Sequence, residues 1–413
     1  MFSTTINNLE PERGKKMIKI GRPYVTEQGK FARLNADITV DDKNVTLWVE
    51  VPKEYSTYLC WERADAFLLG LLHYAMEFGY DIKCDAPVTK RLYEQLTELF
   101  LPSYLKLNKI AEVRIVADTA DEVEHPGVAA IATGVSCGVD SMHVFAKHPE
   151  LTHGVVFDLH DGNWRTGGER QALAWKNLVE QARTFTNHVG VKLLTISTNY
   201  DKGVLPGLKY EWQTGFASLF MIFSVQKLIG QYYIASGYSI EDFKLKVRPH
   251  EDVAYYEPFL FPHVCLRSIN VRLDGIADTR LDKVKKIADY EPAQKFLNVC
   301  MKVTDDRRNC CECWKCKRTI LELMASGNLE KFSSVFPQNL VCAHHYDYAL
   351  ALERGRRMKD VYSTEMYPLL SGGRFGVYRA GLELTMAERL SLLWQVAVRD
   401  RLHNLKRKFV KNG

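Results

Sequence analysis

Between residues 128 and 236, short apolar segments alternate with longer amphipathic ones, and this alternation limits the possible folds more than any other feature of the chain. The apolar segments predict buried strands at residues 128–133, 153–158, 191–197 and 232–236. The segments between them predict helices that begin near residue 141 and cover residues 168–189 and 212–229. Buried strands alternating with helices are typical of the α/β class, so we expect a doubly wound parallel sheet.

Composition divides the chain into five predicted segments. They are a disordered tail at 1–16, a small α+β module at 17–125, an α/β domain at 126–290, a metal-binding region at 291–340 and a helical region at 341–413. The tail is polar and charged and lacks the apolar core of a signal peptide. In the α+β module we expect strands at 31–40, 45–51, 81–84 and 112–117, and helices at 64–80 and 90–101, the second stopped by Pro102.

The overall composition is typical of a soluble globular protein, with 46% hydrophobic and 25% charged residues in a chain of 413. The net charge of +5 permits an anionic partner but does not require one. The most apolar long segment, 216–235, is interrupted by Gln226, Lys227 and Gln231, so no membrane span is predicted. We expect a cytoplasmic protein that forms homo-oligomers.

The segment that joins the first strand of the predicted α/β domain to its helix has the residues of a phosphate-binding loop. Its sequence is Ser136-Cys137-Gly138-Val139-Asp140-Ser141. Backbone N–H groups at a helix N-terminus bind anions, the serines add hydroxyl groups, and Gly138 lets the backbone approach closely. The Gly-Lys-Ser/Thr of a Walker A motif is absent. The segment predicts a polyphosphate site, and the alternative is an ordinary turn in which Asp140 and Ser141 cap the helix.

Half of the ten cysteines lie close together in the sequence, at positions 300, 310, 311, 313 and 316. Cys300, Cys310, Cys313 and Cys316 have zinc-ribbon-like spacing and predict a closed structural Zn²⁺ site. Cys311 is the spare cysteine, and it could replace Cys310. An iron–sulfur cluster, a redox pair and unligated thiols are the alternatives. Near the metal-binding region, Cys342, His344 and His345 are interpreted as a surface feature.

The phosphate-binding loop resembles the PP-loop of ATP pyrophosphatases, Ser-Gly-Gly-x-Asp-Ser, with Cys137 in place of a glycine. A positive φ at this position would strain a cysteine. The resemblance implies a HUP-like fold that binds ATP and Mg²⁺ through residues 136–141, with Asp140 and Ser141 as the catalytic residues. It also implies nucleotide contacts at the ends of two other strands, from Asp158, His160 and Asp161 and from Ser236 and Gly237.

Together, the loop and the cysteines resemble the 7-cyano-7-deazaguanine synthase family over residues 127–325. The resemblance implies a ligase that adenylates a small carboxylate, releases pyrophosphate, and then uses ammonia to form an amide or a nitrile. Cations must offset the charge of the leaving pyrophosphate. The candidates are Lys202, Lys209, Arg267 and Arg280. The N-terminal module and the C-terminal helices lie outside the resemblance, which suggests a different substrate.

Two other functions remain open from the sequence. A tRNA-modifying or thiolating enzyme is suggested by Cys137 and by the basic C-terminal segment, which contains Arg399, Arg401, Lys406, Arg407, Lys408 and Lys411. The usual interpretation of such a segment is a solvated helix face, so nucleic acid is not the favoured partner. A non-catalytic ATP-binding sensor is suggested by Cys137 alone.

Overall fold

The computed structural model describes residues 16–158, 169–200, 214–247, 251–302, 309–372, 378 and 382–399. Strands and α-helices alternate between β9 and β13, whereas the described chain begins with four successive strands and ends with helices. The strands are β1 (Met17–Ile20), β2 (Tyr24–Gln28), β3 (Phe31–Val40), β4 (Lys43–Pro52), β5 (Asp81–Cys84), β6 (Val88–Thr89), β7 (Ile115–Val116), β8 (Thr119–Ala120), β9 (Ala130–Gly134), β10 (His153–Asp158), β11 (Lys192–Thr198), β12 (Ile229–Ala235) and β13 (Asn270–Asp274). The helices are α1 (Asp65–Phe78), α2 (Lys90–Glu94), α3 (Leu101–Asn108), α4 (Val139–Lys147), α5 (Glu169–Val189), α6 (Thr214–Ser224), α7 (Glu257–Leu260), α8 (Arg280–Ile287), α9 (Glu291–Phe296), α10 (Trp314–Ala325), α11 (Gln338–Ala343), α12 (His345–Arg357), α13 (Val361–Leu370) and α14 (Met386–Trp394).

Most of the described strands form one mixed sheet, in the order β13-β12-β9-β10-β11-β4-β3-β1-β5-β7, with β2 paired to β3. The five strands β13, β12, β9, β10 and β11 are parallel to one another. β4 is antiparallel to β11, and β3 and β1 continue the antiparallel part. The protein is therefore an α/β protein with a mostly parallel sheet.

The parallel part has a topological switch point between β9 and β12. Numbered along the chain, its five strands lie in the order 3-2-1-4-5, because β9 is central, β10 and β11 lie on one side, and β12 and β13 on the other. In an open α/β sheet, ligands bind outside the carboxyl ends of the strands where the order reverses. The segments that follow β9 and β12 meet at this point.

Helices pack on both faces of the parallel part, as the alternation of side chains along its strands requires. On β9, Ala130 and Ala132 belong to a core that also contains α1 and α6. Ile131, between them, packs against a second core that contains α4 and α10. The two faces are thus buried against different helices, which is why the strands are apolar at consecutive positions.

Two hydrogen bonds, one of them buried, attach residues 17–125 to the parallel part of the sheet. The Thr198 hydroxyl donates to the Trp48 carbonyl, at 2.6 Å, and the Trp48 N–H donates to the Asn199 side chain, at 2.9 Å. On one face, α1 packs on α6 with the rings of Phe67 and Phe220 5.2 Å apart. The division of the chain at residue 125 stays a prediction, but the two segments share one sheet and one core.

The predicted stop at Pro102 is wrong. After α2, a π-helical segment covers Gln95–Phe100, and α3 continues from Leu101 with Pro102 in its first turn. Pro102 has no N–H to donate, and the change to π-helical hydrogen bonding just before it lets the helix continue instead of ending. Elsewhere, element ends shift: the helix expected over 212–229 ends at Ser224, and β12 begins at Ile229 where helix was expected. The strands β1, β2, β6, β8 and β13 have no counterpart among the predicted elements. Of the basic segment predicted to end the chain as helix, only residues up to 399 are described.

Among the described residues, no helix combines the length and the apolar character that crossing a membrane requires.

Replacing Thr198 by valine tests the attachment between β4 and β11. The change keeps the side-chain shape but removes a buried hydrogen bond, so the free energy of unfolding should fall by about 1–3 kcal/mol. The control Thr39→Val removes an exposed bond, 2.6 Å long, to Asn44 in the β3–β4 hairpin. That control should change the free energy by less than about 0.5 kcal/mol. Urea denaturation measures both variants, and equal losses would contradict the attachment.

Candidate functional site

The predicted phosphate-binding loop, residues 136–141, lies at the N-terminus of α4, at the switch point of the sheet. The Ser136 hydroxyl donates to Ser141 Oγ at 3.2 Å, and the Ser141 hydroxyl donates to the Gly138 carbonyl at 3.0 Å. Gly138 is the N-cap residue, and no described side chain caps α4. The Gly138 N–H donates to Ser136 Oγ at 3.3 Å, and no described side chain accepts the N–H groups of residues 139–141, which are the groups that bind anions at a helix N-terminus.

Cys137 has a left-handed backbone conformation, with φ of 54°, in the position where the PP-loop pattern has glycine. Its side chain is 2% exposed and belongs to the core beneath the loop. Burial raises the pKa of the Cys137 thiol to about 12, so the thiol is protonated at neutral pH. The carbonyl of Cys137 accepts a hydrogen bond from the backbone N–H of Asn298, at 2.8 Å. The strain predicted for a cysteine here is present, and contacts around the residue hold it.

Two cations converge on the carboxylate of Asp140. Arg280 Nη1 lies 2.6 Å from Asp140 Oδ2, and Lys283 Nζ lies 3.2 Å from Oδ1. Burial alone would raise the pKa of Asp140, but the charges of Arg280 and Lys283 outweigh it and keep the pKa below its ordinary value. Both cations come from the first turn of α8, which Thr279 and Asp282 cap reciprocally. The start of α8 therefore faces the start of α4.

Lys283 also connects the phosphate-binding loop to the segment after β12. The residue is 2% exposed, and its side chain donates to the Ser236 carbonyl as well as to Asp140. The Ser236 N–H donates to the Asp274 carbonyl at the end of β13, at 2.9 Å. Lys283 thus bridges Ser236, at the end of β12, to Asp140, while the nucleotide contacts of Ser236 and Gly237 stay a prediction. Asp158, 5% exposed, ends β10 on the other side of the loop.

One predicted residue is not brought to this site, and four others cannot be placed relative to it. Arg267 precedes β13, at the amino end of a strand whose carboxyl end is at the site, so it lies at the opposite edge of the sheet. His160, Asp161, Lys202 and Lys209 lie outside the described residues. The sequence analysis did not include Lys283. A signal for it was present, since Lys283 follows the predicted Arg280 by three residues on a helix and therefore lies on the same face.

A cavity of about 880 Å³ opens beside the two cations. It lies between the segment after β12 and the junction of α12 and α13. Its lining combines three tyrosines with cationic and acidic side chains, among them Tyr238, Tyr255, Tyr362, Arg280, Lys283 and Lys359. The cavity is large enough for a small-molecule substrate, and two of its lining residues, Arg280 and Lys283, contact Asp140.

Four cysteines form a cluster that can hold a metal ion. The sulfur atoms of Cys300, Cys310, Cys313 and Cys316 all lie within 4.8 Å of one another. Cys310 Sγ and Cys316 Sγ are 4.0 Å apart, close to the spacing of about 3.8 Å that tetrahedral Zn–S bonds of about 2.3 Å produce. Backbone N–H groups of Lys302 and Cys313 donate to the sulfurs of Cys300 and Cys310. The cluster is compatible with zinc.

The neighbouring Cys311 is outside the cluster. It is fully buried, its φ is 58°, and its sulfur lies 3.7 Å from the Asn309 carbonyl. The backbone turn at Cys311 separates it from Cys310, so the structure resolves the choice that spacing left open. Cys342, which is exposed, also lies outside the cluster.

The chain matches no protein-family model, and searches of curated proteins and of solved structures likewise found no match. The function is therefore argued from the geometry of the site.

The backbone strain at Cys137 predicts a small effect for one substitution and a large destabilisation for another. Cys137→Gly removes the penalty of the left-handed conformation and should change the free energy of unfolding by less than about 1 kcal/mol, because relief of strain offsets lost burial. Cys137→Val places a β-branched side chain at the same φ and should cost about 2 kcal/mol or more. Urea denaturation measures the free energy of unfolding of both variants. A valine variant as stable as the glycine variant would show that the backbone at Cys137 is not strained.

Metal content distinguishes Cys310 from Cys311. Cys310→Ala removes one of the four clustered sulfurs, so the purified variant should lose its bound metal. Cys311→Ala leaves all four in place and should keep the metal content of the unaltered chain. Inductively coupled plasma mass spectrometry measures both variants and identifies the element. Loss of metal from Cys311→Ala, with metal retained by Cys310→Ala, would reverse the assignment.

Proposed function

We propose that this chain is an ATP-dependent ligase of the PP-loop class, which activates a substrate carboxylate as an acyl-adenylate and releases pyrophosphate. The observation that carries the proposal is the convergence of Arg280 and Lys283 on Asp140 at the uncapped N-terminus of α4. This combination of free N–H groups and buried cations suits a polyphosphate at a switch point.

Cleavage of ATP between the α- and β-phosphates places developing negative charge on the pyrophosphate. Arg280 and Lys283, with side chains 10% and 3% exposed, would offset that charge where water screens little of it. Asp140 would help hold the Mg²⁺ that accompanies ATP, and the ion would neutralise the leaving phosphates. A carboxylate has about four lone-pair positions, so Asp140 can keep its two cationic partners and still ligate.

The reaction would proceed in two displacements. A carboxylate oxygen forms a bond to the α-phosphorus of ATP, the bond from that phosphorus to the bridging oxygen breaks, and pyrophosphate leaves with the electron pair. Ammonia then attacks the acyl carbon, AMP leaves with the electron pair of the acyl–oxygen bond, and the ammonium nitrogen loses a proton to give the amide. The cavity beside Arg280 is the place from which the carboxylate would enter.

The state of Cys137 favours nitrogen transfer over sulfur transfer. A thiolating enzyme needs a thiolate that can reach its substrate, because the thiolate is the reactive species. The Cys137 thiol is 2% exposed and its pKa is raised to about 12 by burial. Cys137 therefore serves as a buried packing residue in this proposal.

The four-cysteine cluster is proposed to bind zinc. Four thiolates leave no open coordination position, so zinc would contribute to folding and not to the reaction. An iron–sulfur cluster is also bound by four cysteines, and its visible absorption would distinguish it from colourless zinc.

ATP–pyrophosphate exchange, with radiolabelled pyrophosphate and a panel of carboxylic acids that includes 7-carboxy-7-deazaguanine, tests the proposal. We expect label in ATP only when the right carboxylate is present, and release of AMP when ammonia is added. Formation of ADP and phosphate would sink the ligase mechanism. ATP binding without any cleavage would favour a sensor.

A matched pair of variants locates the activity. Arg280→Lys keeps the charge but loses the planar fork that contacts Asp140 and Glu322, so exchange should fall about tenfold or more. Arg267→Lys makes the same change at the opposite edge of the sheet and should leave exchange within about twofold of the unaltered rate. Equal effects in the two variants would place the site elsewhere.

A further inference from the structure

The four-cysteine cluster and the phosphate-binding loop are joined directly through the backbone. The N–H of Asn298 donates to the Cys137 carbonyl at 2.8 Å, and Cys300, the first cysteine of the cluster, follows two residues later. Cys137 is the residue with the strained φ of 54°. The conformation that is unfavourable for cysteine is therefore held by a residue of the cluster segment.

Side chains make this connection rigid. Asn298 Oδ1 accepts the N–H of Cys300 at 3.0 Å. Asn309, which is 3% exposed and precedes Cys310, accepts the Val299 N–H at 2.9 Å and donates to the Leu297 carbonyl at 2.9 Å. The segment 297–300, which ends at Cys300, is thus hydrogen-bonded to Asn309, the residue before Cys310.

A second path runs through α10. Cys313 is the N-cap residue of this helix and Cys316 lies in its first turn. Further along the helix, Glu322, which is 1% exposed, faces Arg280 at 3.4 Å, and Arg280 contacts Asp140 at 2.6 Å. The cluster therefore fixes the start of the helix that orients the arginine beside the loop.

We propose that the metal held by the four cysteines is a positioning element for the phosphate-binding loop. It fixes segment 297–300, whose Asn298 N–H holds Cys137 in the left-handed conformation, and it fixes α10, whose Glu322 orients Arg280. The identification of the loop as a phosphate site rests on the proposed function, but the mechanical coupling does not. Asn298 is a positioning residue, since it acts through Cys137.

Hydrogen exchange read by mass spectrometry on the full chain tests the coupling without ATP turnover. The metal-loaded protein is compared with protein stripped by a chelator under reducing conditions. We expect amides of residues 135–142 to exchange about tenfold faster or more after stripping, as for local opening of a segment. Amides of the β3–β4 hairpin should keep their rates. Unchanged exchange at 135–142, or an equal increase in the hairpin, would overturn the proposal.

Two variants of Asn298 test the positioning role while the cysteines stay intact. Asn298→Asp keeps an oxygen that accepts the Cys300 N–H, whereas Asn298→Ala does not; both lose the donor to Gln181, which lies 3.2 Å away. Calorimetry with Mg²⁺ and inorganic pyrophosphate should show affinity lowered about fivefold or more in the alanine variant and largely restored in the aspartate variant. Metal content and the urea midpoint serve as controls for a general structural loss.

The outcomes separate this proposal from the function it deepens. Equal affinity in the alanine variant and the unaltered chain, with metal retained in both, would overturn the positioning role. If the unaltered chain binds no pyrophosphate, the proposed function fails, and the exchange experiment alone then decides the coupling.

Discussion

The contact between Arg280 and Asp140 is the interaction on which the arrangement of the site depends. Burying a guanidinium is favourable only when carboxylates surround it, and here Asp140 and Glu322 do so from α4 and α10. Burial raises the pKa of Glu322, although the charges of Arg280 and Arg318 act in the opposite direction. Removing one member would leave an uncompensated charge at a cost of about 3–5 kcal/mol. Three helices are therefore fixed relative to one another by a few charged atoms.

This ion pair is possible because the sheet brings the starts of α4 and α8 to one edge. The order 3-2-1-4-5 places β9 beside β12, and each strand ends where a loop must turn outward. The buried residues on one face of the sheet pack beneath the loop, and Cys137 and Cys316 belong to the same group of buried residues. The sheet topology determines where the site lies, and we propose that the region with the clustered cysteines holds the loop at that site rigid.

The sequence predicted these parts unequally. Apolar periodicity located β9 to β12, because strands buried on both faces are continuous apolar segments. Local pattern also identified the loop and four clustered cysteines. It could not show that β4 pairs with β11, since pairing between residues about 150 positions apart leaves no local signal. It could not choose between Cys310 and Cys311, because adjacent thiols differ only in the backbone turn at Cys311. The stop at Pro102 was wrong because a proline after a helix end and one within a helix that continues through a π-helical segment look alike in sequence.

The antiparallel pairing of β4 with β11 has a consequence for the solubility of the whole chain. A parallel sheet that ended at β11 would present a row of unpaired N–H and carbonyl groups, which can template pairing with another molecule. The β3–β4 hairpin covers that row at Ser197 and Thr198, where β4 contributes Val49 and Glu50. The N-terminal strands therefore protect this edge against intermolecular strand addition, and a chain that lost them would expose the carboxyl end of β11.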